Sequence, residues 1–216
     1  MRRVLVVLLT AALVTACGSA DWSQPRQGPA RIGSLGAGFS DPATTPAPES
    51  TITPAPGSWD DVHPPEGYRV VLLTAGDDAP TRTLADAVTG WADTEQVDLR
   101  TIDATGDQDL VPRVTEAIGM RPELIVTAGN DLVDPLTLVT ASHLDQQFLV
   151  VGAEIGEPTA NVTAVDWTGA SYRGEGLEAS SVYDPATFTE ERGARAVRAG
   201  AAAVLSDLTG IVIWLS

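Results

Sequence analysis

Residues 67–216 predict an α/β fold with a doubly wound (Rossmann-like) parallel sheet. Two patterns carry that reading. Short apolar runs rich in Val, Ile and Leu recur along the segment, as strands buried on both faces do, and stretches of helical period separate them. Strands alternating with helices pair in parallel, because a helical crossover brings the chain back to the starting edge of the sheet. Right-handed crossovers then give the strand order 2-1-3-4-5, with a sixth, C-terminal strand beside strand 5 at the sheet edge.

Arg69-Val70-Val71-Leu72-Leu73-Thr74 reads as the first strand, fully buried. Between Thr81 and Trp91, Leu84, Val88 and Trp91 recur at i, i+4 and i+7, one face of a helix. Val97 to Ile102 alternates and gives a second strand. A helix follows around Leu110–Ile118, where Pro112 is tolerated only in the first turn. Glu123–Thr127 is the third strand, Pro135–His143 a helix, Phe148–Val151 the fourth strand and Val162–Val165 the fifth. Trp167 to Thr187 shows no period. Thr187-Phe188-Thr189-Glu190 then has the form of a capping box, whose Thr and Glu satisfy orphan N–H groups reciprocally. It opens a helix expected to turn Ala194, Val197, Ala201, Val204 and Leu205 inward. Gly210 to Leu215 closes the chain as the sixth strand.

The chain of 216 residues carries a formal charge of −16, and its 13 cationic residues are all Arg. That balance argues against nucleic acid, which is held through clustered basic side chains, and against electrostatic attraction to anionic lipid. One Cys and two His exclude an intrachain disulfide and make an all-protein thiolate or His-rich metal site unexpected. No cofactor is expected.

Arg2 and Arg3 precede an apolar run, Val4 to Val14, that is shorter than the roughly 20 residues a bilayer-spanning helix needs. A basic start, a short apolar segment and small residues describe a secretory signal peptide over 1–16. Val14-Thr15-Ala16-Cys17 resembles the lipobox of bacterial lipoproteins, which implies cleavage before Cys17 and fatty acylation of it. Two or three acyl chains hold a protein firmly, each buried methylene contributing about 0.8 kcal/mol. The expected location is therefore the outer face of the bacterial cell membrane. Residues 17–66 hold 9 of the 15 Pro, with Gly, Ser and Thr, and show no apolar period. They are expected to be a disordered tether that lifts the domain off the membrane, with Trp22 and Trp59 as incidental aromatics.

Ligands of open α/β sheets bind beyond the carboxyl ends of the strands, where the strand order reverses. Here that point lies between strands one and three. Its loops offer Gly76, Asp77 and Asp78 after the first strand, and Gly129, Asn130, Asp131 and Asp134 after the third, flanked by Glu154 and by Trp167. The glycines let the backbone turn and approach a ligand. The carboxylates suit a polyol or a cationic group and repel a phosphate. Each residue also has a structural reading. Asp134 before Pro135 matches an N-cap with proline at the first helical position. Asp77-Asp78 before Pro80 suits a turn, Asn130 or Asp131 suits a left-handed turn, and Trp167 suits packing at the rim. His143 suits a helix C-terminus.

Enzymatic templates fail. A response-regulator receiver needs an Asp where Thr127 ends the third strand, and a later Lys; Gly169 to Gly174 lacks the spacing of a nucleophile elbow; no dinucleotide fingerprint follows the first strand. No catalytic residue is expected.

Leu124 to Gly129, Asp134-Pro135-Leu136, the strand at Phe148 and Asn161-Val162 resemble the basic membrane lipoprotein family of substrate-binding proteins. The likeness covers about 40 residues closely and about 100 loosely. It implies a lipid-anchored receptor that hands nucleosides or similar solutes to the membrane subunits of an ABC importer. The sequence departs from that family at Gly76 to Thr81 and at Asn130, and its length provides one lobe where the family has two. Two classes of function therefore stand: a receptor lobe for a small polar solute, or a lobe retained as an interaction module for a second envelope protein. The segment Trp167–Thr187 separates them, because a segment folded over the strand ends would supply a second wall.

Overall fold

The computed structural model describes Trp22, Gln24, Arg26 and residues 33–170 and 172–216. The signal peptide expected at 1–16 and the acylation expected at Cys17 lie outside the described residues. Seven strands form one all-parallel sheet: β1 (Thr51–Ile52), β2 (Arg69–Ala75), β3 (Asp98–Ala104), β4 (Leu124–Ala128), β5 (Phe148–Val151), β6 (Val162–Trp167) and β7 (Val212–Leu215). Their order is β1-β7-β6-β5-β4-β2-β3. The six strands read from the sequence stand in the expected order, with β2 paired to both β3 and β4. One correction concerns the edge: β7 is covered by β1, Thr51 pairing with Val212 and Ile52 with Ile213.

Strand alternation divides the core in two. Leu72, Val126, Leu149, Val165 and Ile213 face helices α1 (Ala79–Glu95) and α4 (Glu190–Leu205). Val71, Leu73, Ile125, Phe148 and Val150 face α2 (Leu110–Gly119) and α3 (Val133–Val139). In α1 the expected stripe of Leu84, Val88 and Trp91 is buried. In α4 the inward face is set differently from the sequence expectation. Ala194 is exposed, whereas Gly193 and Ala196 turn inward. Small residues are needed there, since a Cβ at Gly200 would run into Leu149 of the sheet. The expected capping box is replaced by a simple cap two residues later: Thr189, not Thr187, caps α4 by accepting the N–H of Arg192, and the third helical residue is that Arg rather than a Glu.

The tether expectation is corrected for the described part of 17–66. Phe39, Trp59 and Val62 are buried in the α1/α4 core, and Trp22 is buried on the other side of the sheet. The described residues of the segment form a belt. It holds the starts of β2, β3 and β4 through Trp22, Gln24 and Arg26, adds β1 at the far edge, and returns to enter β2. Proline-rich chain lacks an apolar period because it wraps in extended turns, so a few well-spaced large side chains anchor it where a periodic stripe would anchor a helix. Trp22 and Trp59 are such anchors.

Candidate functional site

The two loops expected to form a lip do meet. Gly129 follows β4 at φ 113°, and a Cβ there would run into the Ala75 carbonyl at the end of β2. Only glycine lets the two strand ends come this close. The crevice between them holds about 200 Å³ and is lined by Asp78, Gly129, Asn130 and Asp131, and by Tyr183 and Phe188 from the segment after β6. A larger cleft, about 650 Å³, opens on the other side of the β2 end, between α1 and the edge strand β3. Gly76, Asp77 and Asp131 border it, together with Asp86, Asp103 and Asp107, the hydroxyls of Thr74, Thr81 and Thr101, and one cation, Arg82. The sequence reading missed β3 as a wall. Asp103 was legible as a polar residue at a strand end, where Thr74 of the neighbouring strand donates to its carboxylate.

Three of the predicted residues serve the fold. Asp78 caps α1: its carboxylate accepts the N–H of Thr81 at 3.0 Å and the Thr81 hydroxyl at 2.8 Å. Asp134 is not an N-cap, because a 3-10 turn, Asn130–Leu132, runs straight into α3 and places it within the first helical turn. Both its carboxylate oxygens instead accept the N–H of Glu175 at 3.1 Å, and the Tyr172 hydroxyl approaches at 3.5 Å. Trp167 is withdrawn from the lip entirely. Its ring is 1% exposed and meets Phe188 edge-on at 5.1 Å, and its indole N–H donates to Thr187. A large apolar ring at the end of a central strand gains more from the core than from solvent.

The segment after β6 folds over the strand ends. Tyr172 pairs with Ala153 beyond β5, Arg173 lies 3.2 Å from Glu154, and the Ser181 hydroxyl accepts from Gly169 N–H. Tyr183 stands at the crevice mouth, 46% exposed and 5.8 Å from Phe188. Partial burial first, and then the Asp78 carboxylate, push its phenol up from the ordinary tyrosine range. Burial, followed by Asp134, does the same to Tyr172. Both hydroxyls therefore remain neutral donors at neutral pH. Among the described residues no group of His, Cys, Asp and Glu is arranged to hold a metal ion.

No protein-family model matches this sequence, and no curated protein matches it. Similar folds occur among solved structures. An ABC transporter solute-binding protein of Aeropyrum pernix K1 is 19% identical over 47% of this chain and 29% of its own, with a TM-score of 0.42. A fragment of a putative lipoprotein of Peptoclostridium difficile 630 is 14% identical over 63% of this chain and 98% of its own, with a TM-score of 0.46. A periplasmic ribose ABC transporter protein of Conexibacter woesei is 13% identical over 70% and 54%, with a TM-score of 0.35. The chain thus spans less than a third of the first of these and about half of the third.

Proposed function

We propose that this chain is a lipid-anchored extracytoplasmic binding protein. It holds a small cationic or polyhydroxylated solute in the cleft beside β3 and passes it to the membrane subunits of an ABC importer, without acting on it chemically. One observation carries the reading. Five carboxylates and a set of threonine hydroxyls converge on a cleft of about 650 Å³, the size of an ordinary small-molecule site, against a single Arg. A cation gains Coulomb attraction there, and hydroxyl groups find acceptors, whereas an anion is repelled. The likeness of Leu124–Gly129 and Phe148 to the basic membrane lipoprotein family, and the lipobox ending in Cys17, support the receptor role and the anchor.

A second reading has its own observation. The segment after β6, which folds over the strand ends and lines the smaller crevice with Tyr183 and Phe188, also leaves Leu177, Val182 and Tyr183 exposed. Those exposed apolar side chains suit a protein-interaction module of the envelope.

The two are separated by thermal-shift titration of the chain from residue 18 onward, with the belt retained, against polyamines, sugars and nucleosides. A ligand at 100 times its Kd stabilises by about 2.7 kcal/mol. The receptor reading expects a shift from one class, lost in the Asp77→Asn/Asp107→Asn variant. No shift from any class overturns it in favour of the module.

A further inference from the structure

The crevice between the ends of β2 and β4 joins two kinds of wall. Tyr183 and Phe188 come from the segment after β6, with their rings 5.8 Å apart and tilted at 53° to each other. Phe188 is held by the edge-on contact with Trp167, whereas Tyr183 is open to solvent at the mouth. Asp78 and Asp131 come from the two strand-end loops, and Asp78 lies near enough to Tyr183 for its charge to act on the phenol. Among the described residues no Arg or His lines this crevice. Arg82 borders the larger cleft instead, and Arg192 donates to the Thr187 carbonyl. The N-terminus of α1 opposes a bound cation with about half an elementary charge. Asp78 caps that end, so the charge of Asp131 is left in excess.

Size and bonding select the kind of cation. At about 200 Å³ the crevice is smaller than an ordinary small-molecule site. A cavity of about 150 Å³ admits a group the size of benzene, so a compact head group fits here and a nucleoside does not. A primary ammonium brings three N–H donors, each needing an acceptor. Both Asp78 oxygens already accept from Thr81, and no metal-ligating group is arranged among the described residues. A quaternary ammonium has no N–H to satisfy. It needs a negative field and walls that its methyl groups can touch, which aromatic rings supply best. Pro80 and Leu84 complete an apolar floor for it.

We infer that this crevice binds a small quaternary ammonium group, with Tyr183 and Phe188 as its aromatic walls and Asp131 as its counter-charge. The site is separate from the cleft beside β3, although Asp131 borders both. It also gives the segment after β6 a task, because that segment brings the rings that the strand-end loops themselves lack.

Calorimetric titration of the full chain with choline, at constant ionic strength, tests this against two matched compounds. One is 3,3-dimethylbutan-1-ol, the uncharged isostere of choline; the other is ethanolamine, which keeps the charge and lacks the methyl groups. Choline is expected to bind saturably, and each matched compound at least tenfold more weakly. Tyr183→Leu keeps apolar bulk without the ring and should weaken choline at least tenfold, whereas Tyr183→Phe restores the ring and should restore affinity to within threefold. Asp131→Asn should weaken it at least threefold. No saturable binding, binding of either matched compound as tight as that of choline, or an unchanged affinity in Tyr183→Leu overturns the inference. Choline binding that is lost in Asp77→Asn/Asp107→Asn but survives Tyr183→Leu puts the ammonium in the larger cleft, which overturns the crevice site and leaves the receptor reading standing. Choline binding that depends on Tyr183 upholds the crevice site even where no solute fills the cleft.

Discussion

Gly129 is the residue on which the approach of the two ligand-facing loops depends, because its φ of 113° and the contact with Ala75 leave no room for a side chain. Gly129→Ala is expected to cost about 3 kcal/mol through backbone strain and steric overlap, read as a lower urea midpoint with an unchanged slope. Asn161 works at the other end of the sheet. Its amide nitrogen lies 2.9–3.2 Å from the carbonyls of Thr140, His143 and Gln146, and its carbonyl accepts the Thr159 hydroxyl at 2.6 Å. It therefore joins the turn after α3 to the start of β6, and Asn161→Ala should cost about 1–3 kcal/mol in the same assay by leaving buried carbonyls without a donor. The family likeness singled out Asn161-Val162, but its role follows from bonds that span up to 21 residues.

Secondary-structure elements were legible in the chain to the extent that each has its own period. The buried runs of β2, β4 and β5 and the i, i+4, i+7 stripe of α1 appear in the sequence because one segment suffices to show them. Elements defined by a partner were not legible. β1 has two residues and exists by pairing with β7, and the segment after β6 is ordered by acceptors on Asp134 and Glu154. Asp134 was read as a choice between a cap and a ligand group; the structure gives it to Glu175 instead. Asp134→Ala should release that segment, with protease cleavage between residues 172 and 184 accelerated several-fold and global stability lowered by under about 1 kcal/mol, since the lost bonds are exposed. Unchanged cleavage would mean that the remaining contacts hold the segment unaided.

Over the whole molecule, a charge of −16 on a chain of 216 residues repels itself, and the five carboxylates of the larger cleft add to that repulsion locally. Added NaCl shortens the Debye length from about 10 Å at 0.1 M to about 3 Å at 1 M, so Tm is expected to rise over that range. A falling Tm would show that the Arg26–Glu123 and Arg173–Glu154 pairs outweigh the repulsion. By itself, the sequence determined the parallel sheet, its strand order and the meeting of the two loops, since hydrophobic period and crossover handedness are properties of consecutive residues. Tertiary structure alone decided that the described part of the proline-rich segment is a belt, that Trp167 belongs to the core, and that the roomier cleft lies beside β3. Those outcomes rest on contacts between residues far apart in the chain, for which no local pattern stands.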